Sequence, residues 1–260
     1  MPKPQKTARA VKPSKGLEVW YRQQLDAMVS EMSNSIEYWL EAAYKANPPR
    51  IATDALPSAE LAKRMRELSK RWIDKFDVMS SKIAERFATS GVNYTDASFK
   101  SALKDAGFTV EFKMTPIMRD AVNATIEENI GLIRSIPQQY LTDVQGIVMR
   151  GYTAGHDLHV ISTDLQERYG ITKRRVALIA RDQSAKLNAT VTQARRVDLG
   201  LFKAIWVHSS AGKEPRPSHV KAGREKLEFD VREGALLDGE RLLPGQAINC
   251  RCSSKTVLPF

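Results

Sequence analysis

Two histidines and two cysteines in the last quarter of this 260-residue chain form its most chemically loaded donor set: His208, His219, Cys250 and Cys252. Two imidazole nitrogens and two thiolates suit the four corners of a tetrahedral zinc site. The spacing matches no standard finger, because the cysteines are C-x-C rather than C-x2-C and the histidines come first. On a strand, alternate residues share a face, so both sulfurs can point at one ion. The bland alternative makes Cys250 and Cys252 small inward-facing hydrophobes and His219 a hydrogen-bonder at a helix start. With only two cysteines a disulfide framework is excluded, and a bridged C-x-C is disfavoured in a reducing cytoplasm.

Catalysis has little support elsewhere. His219 with Asn249 beside a metal shares the composition of an HNH nuclease site, yet no acidic pair with metal-ligand spacing accompanies them. There is no serine nucleophile elbow and no phosphate loop. His156 and His159 fit a helix-start surface cluster with Gly155 and Asp157 better than a second metal site. Arg181, beside Asp182 and Gln183 in a long helix, either anchors an acidic group of the following module through bidentate hydrogen bonds or pairs with Asp182 at the surface; the pattern favours the surface pair.

The elements that must carry these residues follow from periodicity. Leu17, Trp20, Met28, Met32, Ile36, Trp39 and Ala43 predict one helix to about Lys45, stopped by Asn47-Pro48-Pro49. Leu61, Met65, Leu68, Trp72, Phe76, Met79, Ile83 and Phe87 place a second apolar stripe on one helix face, ended by Ser90-Gly91. A short helix from Thr95 and a brief strand at Phe108–Phe112 come next. Helices then start at Thr115-Pro116, break at Ile136-Pro137, and resume to Tyr152. Leu158–Tyr169 is capped by Gly170, and Thr172–Val197 is the last long helix. From Phe202 the texture becomes strands and turns. The fold class is α+β: a mainly helical N-terminal two-thirds followed by a small mixed α/β C-terminal module.

The formal charge is +10, and five of the basic residues sit in the first sixteen without an acid: Lys3, Lys6, Arg9, Lys12 and Lys15. Prolines and a glycine interrupt that stretch, which reads as a flexible basic arm. The arm is either a solubilising tail or a non-specific contact to double-stranded DNA, weakened by salt. No apolar run approaches the roughly 20 residues of a membrane helix, and the N-terminus has no hydrophobic signal core. The expectation is synthesis in the host cytoplasm with no membrane partner.

Taken in order, several segments resemble the phage Mu F-like minor head proteins, also called phage head morphogenesis proteins. They are Leu165-Gln-Glu-Arg-Tyr-Gly170, Ala177-Leu-Ile-Ala-Arg-Asp-Gln183, Leu199-Gly200 before the strand with Trp206, Glu214-Pro-Arg-Pro-Ser-His219, Asp238-Gly239 and Pro244-Gly-Gln-Ala-Ile-Asn-Cys-Arg-Cys252. Composition and periodicity set an arm at 1–16 and a helical region at 17–157, and the resemblance implies a head morphogenesis domain at 158–260. It implies a non-enzymatic, low-copy component of the prohead and virion of a tailed phage or prophage. Such a component sits beside the portal, contacts portal, scaffold or major capsid protein, and serves head assembly and DNA packaging or delivery. The alternatives are a DNA-binding packaging or ejection factor and a metal-dependent nuclease or toxin-like module. The family's motif maps onto Arg181, Trp206, Arg216, His219, Gly245, Cys250, Arg251 and Cys252, and structural zinc is the one cofactor in view. One departure stands out. The family's loop after the tryptophan strand often carries an Asp, whereas here it reads Ser209-Ser-Ala-Gly-Lys-Glu-Pro-Arg216 and offers Glu214 as a substitute.

Overall fold

The computed structural model describes residues 5–46, 56–155 and 158–259. Four long helices dominate: α1 (Lys15–Ala46), α2 (Leu56–Asp105), α3 (Pro116–Thr153) and α4 (Leu158–Asp198). A short helix α5 (Pro217–Arg224) and strands β1 (Thr7–Ala8), β2 (Lys203–Val207), β3 (Glu228–Asp230), β4 (Ala235–Leu237), β5 (Glu240–Leu242) and β6 (Ser253–Val257) complete the chain. The expected α+β class is observed, with four long helices through the N-terminal two-thirds and, among the described residues, every strand but β1 in the C-terminal part. No helix among the described residues is long and apolar enough to cross a membrane.

The helices are fewer and longer than the breakers in the sequence predict. α2 runs straight through Ser90-Gly91, α3 through Pro137, and α4 through Gly170. A helix-interior glycine costs about 1 kcal/mol and a proline about 3 kcal/mol relative to alanine, and burial of the flanking apolar stripes offsets these penalties. At Gly91 the absence of a side chain is itself used, since a Cβ there would lie 2.1 Å from the Leu187 Cδ2 atom. Beside Pro137, Arg175 binds both the carbonyl and the hydroxyl of Ser135. The strand expected at Phe108–Phe112 is also absent. Its backbone is irregular, and Phe112 instead stacks on Phe99 with ring centroids 5.9 Å apart.

The chain forms two compact units. The first comprises residues 1–19, 85–127 and 180–260; the second comprises residues 20–84 and 128–179. The second unit is all helical. Leu61, Met65, Leu68, Trp72, Phe76 and Ile83 are buried as their spacing requires, while the α1 stripe is Tyr21, Leu25, Met28, Met32, Ile36 and Leu40 rather than one including the exposed Trp39. Two buried tyrosines are satisfied there: Tyr21 donates to Asn129 at 2.8 Å and Tyr140 to Ser33 at 3.0 Å. Burial pushes both hydroxyls above their ordinary range.

The first unit holds the sheet. Its order is β1-β6-β2-β3, antiparallel throughout, and β4-β5 form a separate hairpin. That hairpin closes through Asp238-Gly239, both at positive φ, the pair a two-residue primed turn favours. The arm reading is corrected over its described part. Thr7 and Ala8 pair with Val257 and Thr256, and Ala8 and Val11 are buried with Phe99, Leu103, Leu201 and Leu258. Backbone pairing and burial of its two small apolar residues outweigh the polar composition of the stretch. Lys3 lies outside the described residues.

Candidate functional site

The helix α4 supplies the platform of the C-terminal module. Arg196 is fully buried and donates to Thr256 Oγ1, Ser254 Oγ and the Ser254 carbonyl, so one guanidinium is spread over three oxygens of β6. Burial alone pushes its pKa down, to about 9. Arg195 grips Asp96 through Nε and Nη2 at 2.8 and 2.6 Å and lies over the Phe112 ring. Gln193 donates to the Val231 carbonyl at 2.7 Å. None of these residues was selected from the sequence. Arginines and a glutamine near a helix end look like solvated surface until the strands that cover them are placed.

About four turns earlier, α4 holds the segment that leads into the cysteines. Arg181 donates to the Asn249 side-chain oxygen at 2.8 Å, and Asp182 accepts the Asn249 backbone N–H at 2.7 Å. The surface Arg181–Asp182 pair is therefore overturned. Both residues reach the following module, though toward an amide rather than an acidic group and without a bidentate fork. Asn249 itself adopts φ +59°, a left-handed conformation that asparagine tolerates better than most residues. Gly245, at φ +99°, passes close to α4, where a Cβ would stand 3.1 Å from the Ala185 carbonyl oxygen.

Cys250 and Cys252 then project into a pocket walled by β2 and α5. Pro217 opens α5 at a position where no amide donor is needed. His219 and Ala222 face inward from that helix. The His219 ring meets the fully buried Trp206 edge-on, with centroids 5.0 Å apart and planes at 76°. Its Nδ1 lies 3.5 Å from Cys250 Sγ and 3.7 Å from Cys252 Sγ. His208, just past the end of β2, brings its own Nδ1 to 3.7 Å from Cys252 Sγ. Gly223 permits this approach, for a Cβ there would lie 2.4 Å from the His208 Cβ.

Both cysteines are buried and unbridged. The hydrogen bond that Cys252 offers favours the Cys250 thiolate, and backbone N–H groups of Cys252 and Gly245 act the same way. Sharing that proton pushes the Cys252 thiol up, while the Ser209 backbone N–H and the Trp206 indole oppose the shift. The buried indole Nε1 makes no hydrogen bond among the described residues. His219, Cys250 and Cys252 each offer one ligand atom, and these atoms lie within 4.8 Å of one another. That arrangement fits a structural zinc site, the cofactor expected from the sequence; His208 stands at its edge. Among the described residues no carboxylate joins the group, and the Asn249 side chain is engaged by Arg181, so the HNH-like composition does not assemble.

The remaining motif residues hold loops around the same pocket. Arg216 donates to the Ile248 carbonyl at 3.1 Å, and Arg251 to the Ala211 carbonyl at 2.6 Å. Glu214 is exposed and forms no ion pair among the described residues; the acid near the start of α5 is Asp238, which accepts from Ser218 at 2.6 Å. The basic residues of the N-terminal stretch are dispersed. Arg9 bonds Asp105 and Ser101, Lys15 bonds Glu18, and Lys6 and Lys12 are exposed. His159 is exposed in the first turn of α4, and His156 lies outside the described residues.

Comparison with known proteins agrees with this architecture. A Haemophilus influenzae protein described as uncharacterized is 32% identical over 256 residues, covering 96% of this chain but 55% of the relative. The chain thus spans little more than half the length of that curated relative. No solved structure matches it. The model of one protein family, "Phage Mu protein F like protein", matches residues 142–255, a span that contains α4, the sheet strands β2 and β3, and both cysteines. By that match residues 142–255 of the chain are similar to the Phage Mu protein F-like family.

Proposed function

We propose that this chain is a non-enzymatic minor head protein of a tailed phage or prophage, held in the prohead near the portal and acting in head assembly and DNA packaging or delivery. The match to the Phage Mu protein F-like family over residues 142–255 carries the reading. It supports a phage structural, head-morphogenesis role in general, and the family is structural rather than catalytic. The geometry around the cysteines agrees with it. Arg181, Arg216 and Arg251 each donate hydrogen bonds to the protein's own loops, and His219 lies against the two sulfurs. These side chains hold a module together.

The partners expected are portal, scaffold and major capsid protein, contacted inside the prohead. Fractionation of an induced lysate tests this. The chain should sediment with proheads in a few copies per particle and cross-link to the portal. Recovery only in the free-protein fractions of a lysate rich in complete particles would sink the proposal. Incubation of the purified chain with plasmid and Mg²⁺, Mn²⁺ or Zn²⁺ should leave the plasmid intact.

A further inference from the structure

We propose that His208, His219, Cys250 and Cys252 bind one zinc ion in a closed tetrahedral site, which fastens the end of β2, the inner face of α5 and the Asn249–Cys252 segment to one another. The inference is independent of the particle role. It rests first on distances. With Zn–S near 2.3 Å and Zn–N near 2.0–2.1 Å, tetrahedral ligation places sulfur and nitrogen about 3.5 Å apart. Three of the four sulfur–nitrogen pairs lie at 3.5, 3.7 and 3.7 Å, within reach of that geometry.

The surroundings of the sulfurs point the same way. Backbone N–H groups of Gly245 and Cys252 act on the Cys250 sulfur, and that of Ser209 on the Cys252 sulfur. Donors converging on sulfur stabilise metal-bound thiolates, and outer-shell partners of this kind orient ligands and tune the ion. The edge-on Trp206 ring fixes the plane of His219. His208 lies outside the tight group formed by the other three; it is half-buried with Nδ1 3.7 Å from Cys252 Sγ, and ligation by it requires its side chain to rotate toward the other three. Its backbone is already held in place by Gly223. A cavity of about 700 Å³, lined by His208, His219 and both cysteines together with Arg216 and Arg251, gives the ion an entry path. A fourth protein ligand leaves no open coordination position, which makes the site structural.

The experiment uses the full chain purified without a histidine tag or chelator and kept reduced. Elemental analysis should find about one equivalent of zinc per chain. Less than about a tenth of an equivalent, with no uptake on adding zinc, would overturn the proposal. Cobalt substitution should give the intense visible bands of a tetrahedral ion together with thiolate-to-cobalt charge transfer. His208→Ala is the diagnostic variant, because its half-exposed ring can be removed without unfolding the module. It should keep the far-ultraviolet circular dichroism, shift the cobalt bands, and weaken zinc binding on the order of tenfold or more. Unchanged cobalt bands would remove His208 from the ligand set. Cys252→Ser should abolish the charge-transfer band, and zinc chelation should lower the Tm of the natural chain but not that of Cys252→Ser. A chelator-insensitive Tm in the natural chain would refute the fastening role.

Discussion

Asn249 shows how much one residue contributes to the entry of the cysteine segment. Its left-handed backbone is braced by Asp182 through the N–H and by Arg181 through the side chain. Asn249→Ala removes the Arg181 bond and strains the backbone together, with an expected loss of about 1–3 kcal/mol. Asn249→Gly keeps the conformation and forfeits only the side-chain bond, so it should cost less. Urea melts of the two variants give the order, and an equal loss would mean that the backbone conformation contributes nothing. Asp230 gives a pH signature. Hydrogen bonds from the Arg232 guanidinium, and then from its backbone N–H, hold the Asp230 carboxyl down at about 2. A depressed carboxyl stabilises the fold fully above its unfolded pKa of about 4, and that contribution disappears as pH falls toward 2. Thermal melts between pH 5 and 2 should therefore show a smaller pH-linked loss in Arg232→Ala, whose Asp230 titrates nearer its ordinary value.

Helix α2 and helix α3 contain glycines with opposite roles. Gly91 faces Leu187 and Leu17, and a Cβ would lie 2.1 Å from the former and 3.2 Å from the latter. Gly91→Ala should destabilise by about 1–3 kcal/mol in spite of alanine's better helix propensity, and Leu187→Ala in the same chain should recover part of the Gly91→Ala loss. A Gly91→Ala chain as stable as the natural one would refute the packing argument. Gly131 has nothing within 4 Å of its Cβ position, so Gly131→Ala should stabilise by about 0.5–1 kcal/mol. These glycines also mark where sequence reading stops. The stripe from Leu61 to Phe87 identifies α2 correctly, because spacing alone decides which face is apolar. Whether Gly91 ends that helix depends on Leu187, a partner 96 positions away, and local propensity carries no such term. The same holds for Phe108–Phe112, whose alternation suits a strand but whose aromatics are claimed by Phe99 and Arg195.

At the scale of the molecule, the candidate site was legible by residue type and the supports beneath it were not. His219, Cys250 and Cys252 stand out because few other side chains ligate soft cations, and the structure brings them together. Arg196, Asp182 and Gly223 carry no such chemical signature; their roles arise from elements that approach them through tertiary packing. The two compact units likewise draw on interleaved stretches of chain, an organisation that composition shifts and linker signals do not register. The +10 charge is best tested at this scale. Lys12→Gln, at an exposed position after β1, should leave the stability unchanged to within about 0.5 kcal/mol. That variant is a cleaner probe of any duplex-DNA contact than deletion of residues 1–16, which would also remove β1. A large fall in Tm would show that this cation supports the sheet.

The pairing of β1 with β6 has a consequence for synthesis. Thr7 and Ala8 find their partners at Val257 and Thr256, so this edge of the sheet stays open until those residues, about 250 positions later, have left the ribosome. Contacts between such distant parts of a chain form slowly, and the exposed β6 backbone is available to other strands until they do. Ribosome-bound chains arrested before residue 250 would lack β6 and both sulfur ligands together, and should hold Trp206 accessible to quenchers that the finished protein excludes.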